Sequence, residues 1–100
     1  MGWKVNFDKC EKQLMEDFEK GLIAVEDIRI IKVWRNTIEE SGPEVLPEIK
    51  KWDDHPLHKE WEGYRSSSFS LRGRIIYKIV DEKIIVEVVK ITPSHDYKKV

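Results

Sequence analysis

One hundred residues with 40% hydrophobic and 10% aromatic side chains can bury one core, so a disordered chain is excluded and a single domain over 1–100 is expected. The net charge of −1 hides an asymmetry: residues 1–62 carry 10 Lys/Arg against 15 Asp/Glu, net −5, and residues 63–100 carry 8 against 4, net +4. No apolar run reaches the roughly 18 residues that cross a bilayer, no signal pattern is visible, and the lone Cys10 has no disulfide partner, so a cytoplasmic protein with no membrane association is expected.

Trp3-Lys4-Val5-Asn6-Phe7 alternates apolar and polar residues, the pattern of a half-buried strand. Asp8 is the expected cap of a helix over residues 8–22, in which Leu14, Phe18 and Leu22 recur at helical spacing and Gly21 supplies the stop. Cys10 falls inside this helix and reads as a packing or surface residue. A second helix over residues 24–41 places Ile28, Ile31, Trp34 and Ile38 on one face and ends at Gly42-Pro43. The pair is expected to form a hairpin with each apolar stripe buried.

Residues 44–62 form an irregular connector broken by Pro47 and Pro56, with Leu46, Ile49, Trp52, Leu57 and Trp61 as apolar anchors. The period then changes to two. Strands are expected over 63–69, 74–80 ("RIIYKIV") and 84–91 ("IIVEVVKI"), with a tight turn at 81–83 and Pro93 closing the last strand. The order β-α-α-β-β-β gives an α+β fold: a helical hairpin packed on a twisted antiparallel sheet.

Residue types that can do chemistry gather in the second half. His55 and His95 can exchange protons near neutral pH; Arg65, Arg72 and Arg74 can bind a phosphate bidentately; Ser66-Ser67-Ser68 supply hydroxyls between them. A base, an acid and a cation at the phosphorane are what metal-free RNA cleavage by the ribose 2′-hydroxyl needs. The competing readings are weaker. His55 and His58 have HxxH spacing, but Pro56 denies them the helix of a zinc site, so neither a metal nor another cofactor is expected. A Ser-His-Asp triad lacks its strand-turn-helix elbow. His58 reads as a solvated loop residue, Trp3 and Trp34 as core, Tyr64 and Tyr77 as core or sheet-face residues. Asp53 or Asp54, beside His55, is expected to favour the charged imidazole.

The stretches "WDDHPLHKEWEGYR", "RGRIIYKIVDEKIIVEVVKI" and "SHDY" resemble the RelE/ParE superfamily of bacterial toxins, most specifically over residues 52–97 and nearest the YafQ, RelE and YoeB mRNA interferases. The resemblance implies a ribosome-dependent mRNA endonuclease restrained by a cognate antitoxin, with the ribosome and mRNA as further partners. It assigns His55 as general acid/base, Arg74 as the stabiliser of the scissile phosphate and His95 as proton donor to the leaving 5′-oxygen. Ser68, Arg72 and Tyr97 are carried over as RNA- or phosphate-binding positions, and Arg65, the arginine of the G-Y-R pattern, as phosphate-binding or structural. Where YafQ-type sequences have a second histidine and an aspartate, this chain has Ser68 and Arg72. A non-catalytic gyrase inhibitor like the ParE branch and a degenerate antitoxin-binding module are the alternatives.

Overall fold

The computed structural model describes residues 2–80 and 85–93. Five strands, β1 (Lys4–Asn6), β2 (His55–Pro56), β3 (Arg65–Ser68), β4 (Arg74–Val80) and β5 (Ile85–Thr92), lie in the spatial order β1-β5-β4-β3-β2. Helices α1 (Glu11–Glu19) and α2 (Val25–Ser41) follow β1, and three short 3₁₀ turns (Pro43–Glu48, Lys50–Trp52 and Lys59–Trp61) build the connector. The α+β fold is as expected, with two differences. The sheet is mixed, because β1 runs parallel to its neighbour β5, while the other pairs are antiparallel. The connector also contributes β2, which extends the sheet beyond β3.

Leading strands of this kind can pair with any edge that the fold leaves open. Here the α1–α2 hairpin carries the chain from β1 across one face of the sheet, and the return strands β3, β4 and β5 build back towards β1. The strand β5 itself alternates Ile85, Val86, Glu87 and Val88, and its Val86 and Val88 are fully buried. They pack with Ile75 and Tyr77 of β4, Ile91 of β5, and Ile31, Trp34 and Ile38 of α2 in one core. Burying a large apolar side chain contributes roughly 1.5–3 kcal/mol. Trp34, with no exposed surface, is central, standing edge-on to Tyr77 at 5.3 Å and to Phe7 at 6.3 Å.

The helices differ from expectation in two respects. Asp8 does not cap α1: it lies in a turn, its backbone N–H donates to Asn6 Oδ1 at 2.7 Å, and the helix begins after Cys10. The stop is at Gly21, whose φ of 79° in the left-handed region favours glycine. The stripe of α1 is not buried: Phe18 is 44% and Leu22 56% exposed, beside Met15 and Val25 at 58% and 54%. Leu14 is half-buried, and with Met15, Phe18, Val25 and Ile28 it lines a groove of about 470 Å³ between the helices. The stripe of α2, by contrast, is buried at Ile31, Trp34 and Ile38.

Two connections position the chemistry. Leu46 and Trp52 sink into the core and fix the connector against the sheet. At the β3–β4 turn a Cβ on Gly73 would lie 2.4 Å from the Phe69 ring, so only glycine lets the chain turn this closely over Phe69.

Candidate active site

In a sheet, residues directly opposite on neighbouring strands share a face. His55 is opposite Ser66, Ser66 opposite Ile76, and Ile76 opposite Lys90. Two residues along β3, Ser68 is opposite Arg74, which is opposite Thr92. His55 and Arg74 therefore stand on one face in adjacent rows, with Ser66 and Ser68 between them. The opposite parity holds Arg65, Ser67, Ile75 and Tyr77, which face the helices.

This alternation separates the expected phosphate-binding arginines. Arg65 is on the helix side, where its Nε and Nη2 donate to Asp54 Oδ1 at 2.9 and 2.7 Å. Asp54 is the hub of that side. Its side chain has no exposed surface, and its Oδ2 accepts from the Ser67 and Tyr77 hydroxyls, each at 2.5 Å. Trp34 Nε1 donates to Ser67 Oγ at 2.9 Å, which extends the network into α2. Burial works against the charge on Arg65, but the hydrogen bonds and field of Asp54, with help from Tyr77, outweigh it and raise the Arg65 pKa. Burial, and next the negative charge of Asp54, push the Tyr77 phenol far above its ordinary value. Arg65 is thus engaged in holding β2 to β3 and β4, and Tyr77 is a core residue with a polar anchor.

On the other face the two chemically suited residues meet at Asp53. The Asp53 carbonyl lies 2.8 Å from His55 Nδ1, and a carbonyl only accepts, so Nδ1 carries the hydrogen. The neutral ring then keeps its lone pair on Nε2, the form required of a general base. Arg74 Nη2 donates to Asp53 Oδ2 at 2.9 Å, and Nη1 approaches the Asp53 carbonyl at 3.5 Å. The hydrogen bond from Arg74 holds the Asp53 carboxyl below its ordinary value of 3.8; its mild burial opposes this, and the Arg74 and His55 charges add to the lowering. Neither aspartate gives His55 a carboxylate partner. One turns inward to Arg65, Ser67 and Tyr77, and the other turns along the sheet to Arg74.

The remaining expected positions divide as follows. Ser68 is half-buried opposite Arg74, but its hydroxyl donates to the Ser70 carbonyl at 2.7 Å. Arg72 is exposed at the β3–β4 turn. His95 and Tyr97 lie outside the described residues, as does the turn expected at 81–83. His58 is exposed, as its loop position implied. Among the described residues no group of three His, Cys, Asp or Glu side chains could hold a metal ion. Cys10 is buried, and burial, with a smaller contribution from Glu11, pushes its thiol up to about 11, so it is no nucleophile near neutrality.

No known family model matches the chain, and no curated protein sequence matches it. Solved structures do. YafQ from Escherichia coli strain BL21(DE3) superposes with a TM-score of 0.71 over 97% of both chains, at 17% identity. The RelBE2 toxin–antitoxin complex of Mycobacterium tuberculosis gives 0.65 at 18% identity, covering 96% of this chain and 95% of that one. The YoeB–YefM complex of Staphylococcus aureus gives 0.66 at 14% identity, covering 90% and 94%. At these identities the likeness is one of fold: the chain has the fold of the RelE-type toxins.

Proposed function

We propose that this protein is the toxin of a type II toxin–antitoxin system and that it cuts mRNA on the ribosome without a metal. The observation that carries this reading is the pair His55 and Arg74, on one sheet face and tied through Asp53, in a fold shared with toxins. His55 Nε2 takes the proton of a ribose 2′-hydroxyl, the freed oxygen attacks the adjacent phosphorus, and Arg74 neutralises the charge that builds on the phosphorane. His95, assigned by resemblance, returns a proton to the departing 5′-oxygen. Ser68, Arg72 and Tyr97 are the proposed RNA contacts. Arg65 serves by holding the Asp54 network rather than by touching phosphate.

The reading includes a cognate antitoxin; the RelBE2 structure is a toxin–antitoxin complex. Two basic residues of the second half, Arg65 and Arg74, are already paired with Asp54 and Asp53 and so offer little to an acidic partner segment. The apolar groove of the helical hairpin has more to gain from being covered, since contiguous exposed apolar surface marks interaction sites. The test is induced expression with primer extension on cellular mRNA. The parent should arrest growth and produce cuts within translated codons, co-expressed antitoxin should abolish both, and His55→Ala and Arg74→Ala should lose the cuts. Growth arrest that persists in both variants without cuts would replace this reading with inhibition by binding.

A further inference from the structure

Asp53 is an aspartate with φ 45° and ψ 46°, the left-handed region that side chains other than glycine, asparagine and aspartate rarely adopt. That conformation lets one residue act twice. Its carbonyl takes His55 Nδ1, while its carboxylate turns back along the sheet onto Arg74. The exposure of the pair is uneven: the Arg74 side chain is 13% exposed and that of Asp53 64%. The guanidinium is therefore largely covered, while the carboxylate bound to it is open to solvent.

A carboxylate and a phosphodiester offer a guanidinium the same thing, a negative charge delocalised over two oxygens that match its planar fork. A phosphate arriving at Arg74 meets that position already filled and meets a like charge as well. The hydrogen bond from Arg74 keeps the Asp53 carboxyl ionised through the neutral range, so the competitor does not titrate away where the protein works. We infer that the Asp53 carboxylate occupies the phosphate seat on Arg74 in the resting protein and that a substrate phosphate must displace it, which makes Asp53 a specificity-determining residue of this site. Free RNA, with few other contacts, is disfavoured by this competition. RNA held by additional contacts supplies the binding energy that moves the carboxylate aside.

The inference rests on the proposed phosphate-binding role of Arg74, and the sign of one effect separates it from a purely structural role. If Asp53 only props Arg74 in place, removing its charge weakens phosphate binding. If Asp53 competes, removing its charge strengthens binding. An exposed ion pair is worth a factor of a few, and relief of like-charge repulsion adds a similar factor, so the expected gain is about tenfold.

The experiment measures binding of a short fluorescein-labelled single-stranded RNA to the full chain by anisotropy, at about 50 and 200 mM salt. The variants are Asp53→Asn, Asp53→Gly, Arg74→Ala, the double variant of Asp53→Asn with Arg74→Ala, and Asp8→Asn as the control for net charge. Melting curves confirm that each is folded. The inference expects Asp53→Asn and Asp53→Gly to bind about tenfold more tightly than the parent, Asp8→Asn to bind like the parent, and the gain to vanish when Arg74 is absent. If Arg74→Ala weakens binding but neither Asp53 variant strengthens it, Arg74 keeps its role and the competition is overturned. If adding Arg74→Ala to Asp53→Asn, where the seat is open, leaves RNA binding unchanged, the phosphate seat itself is misassigned and both readings fall.

Discussion

Replacing Asp54 should damage the protein severely, because four hydrogen bonds converge on a carboxylate with no exposed surface. Asp54→Ala leaves the Arg65 guanidinium and the Ser67 and Tyr77 hydroxyls without their acceptor. Breaking a buried ion pair by removing one partner costs about 3–5 kcal/mol. The Arg65 side chain is 27% exposed, so water recovers part of its solvation, and the loss falls near the lower end, about 3 kcal/mol. With a urea slope of about 1.2 kcal/mol/M, that moves the unfolding midpoint down by about 2.5 M. Asp54→Asn keeps the shape and one acceptor for Arg65, but its amide presents a donor to two hydroxyl donors and should cost about 2 kcal/mol. Tyr77→Phe alone should cost about 1 kcal/mol, and combined with Asp54→Asn it removes one clashing donor. The double variant should therefore lose about 1 kcal/mol less than the sum of its parts. A midpoint shift under about 0.5 M for Asp54→Ala, or strict additivity in the cycle, would refute the claim that this network fastens β2 to the sheet.

Three further outcomes follow from the same structure. Because the Cys10 thiol is raised from 9.0 to about 11, the folded chain keeps a proton that the unfolded chain releases between those values. Its contribution to stability is thus complete below pH 9 and lost as pH rises towards 11; urea midpoints across this window should fall less steeply for Cys10→Ala, and native Cys10 should resist a thiol reagent at pH 8. The Asp53 carboxyl, lowered by the hydrogen bond from Arg74, stabilises the fold above its ordinary value of 3.8 and stops doing so as pH falls through its folded value. Carbon-detected NMR should find it returning towards 3.8 in Arg74→Ala, and an unmoved titration would deny the ion pair. Phe18→Ser and Leu22→Ser, on the exposed hairpin strip, should weaken capture of the cognate antitoxin by about tenfold with little salt dependence and leave mRNA cutting intact. Unchanged capture would put the antitoxin on another surface.

Most of the element order was legible, because periods of 3.6 and two are written locally in residues 25–41 and 74–92. His55 and Arg74 were legible as chemistry by type and, through the resemblance, by position. What was not legible depends on parity and long-range pairing. Arg65 and Arg74 look alike in the sequence, but the register that sets Arg65 opposite Tyr77 and Ser68 opposite Arg74 sends them to opposite faces. Asp53 and Asp54 are adjacent and identical, and only the left-handed backbone at Asp53 decides which turns inward. The parallel pairing of β1 with β5 joins residues about eighty positions apart and leaves no local mark. The exposed stripe of α1 has the periodicity of a buried one, because period reports an apolar face and not what covers it.

In the proposed reaction the sheet face bearing His55 and Arg74 cuts RNA. The test is single-turnover cleavage of mRNA on programmed ribosomes held intact by Mg²⁺, with a transition-metal chelator present, using the parent, Arg74→Lys, Arg74→Ala and His55→Ala. The parent should cut at full rate in the chelator, Arg74→Lys should keep part of the rate by keeping the charge without the fork, and Arg74→Ala should lose most of it. His55→Ala should be slower by about 10²–10⁴-fold, the usual contribution of a general acid or base, with ribosome binding unchanged. Parent-like cutting by the folded Arg74→Ala and His55→Ala variants, or cutting on intact ribosomes that is lost in the chelator and restored by the chelated metal, would sink the proposal.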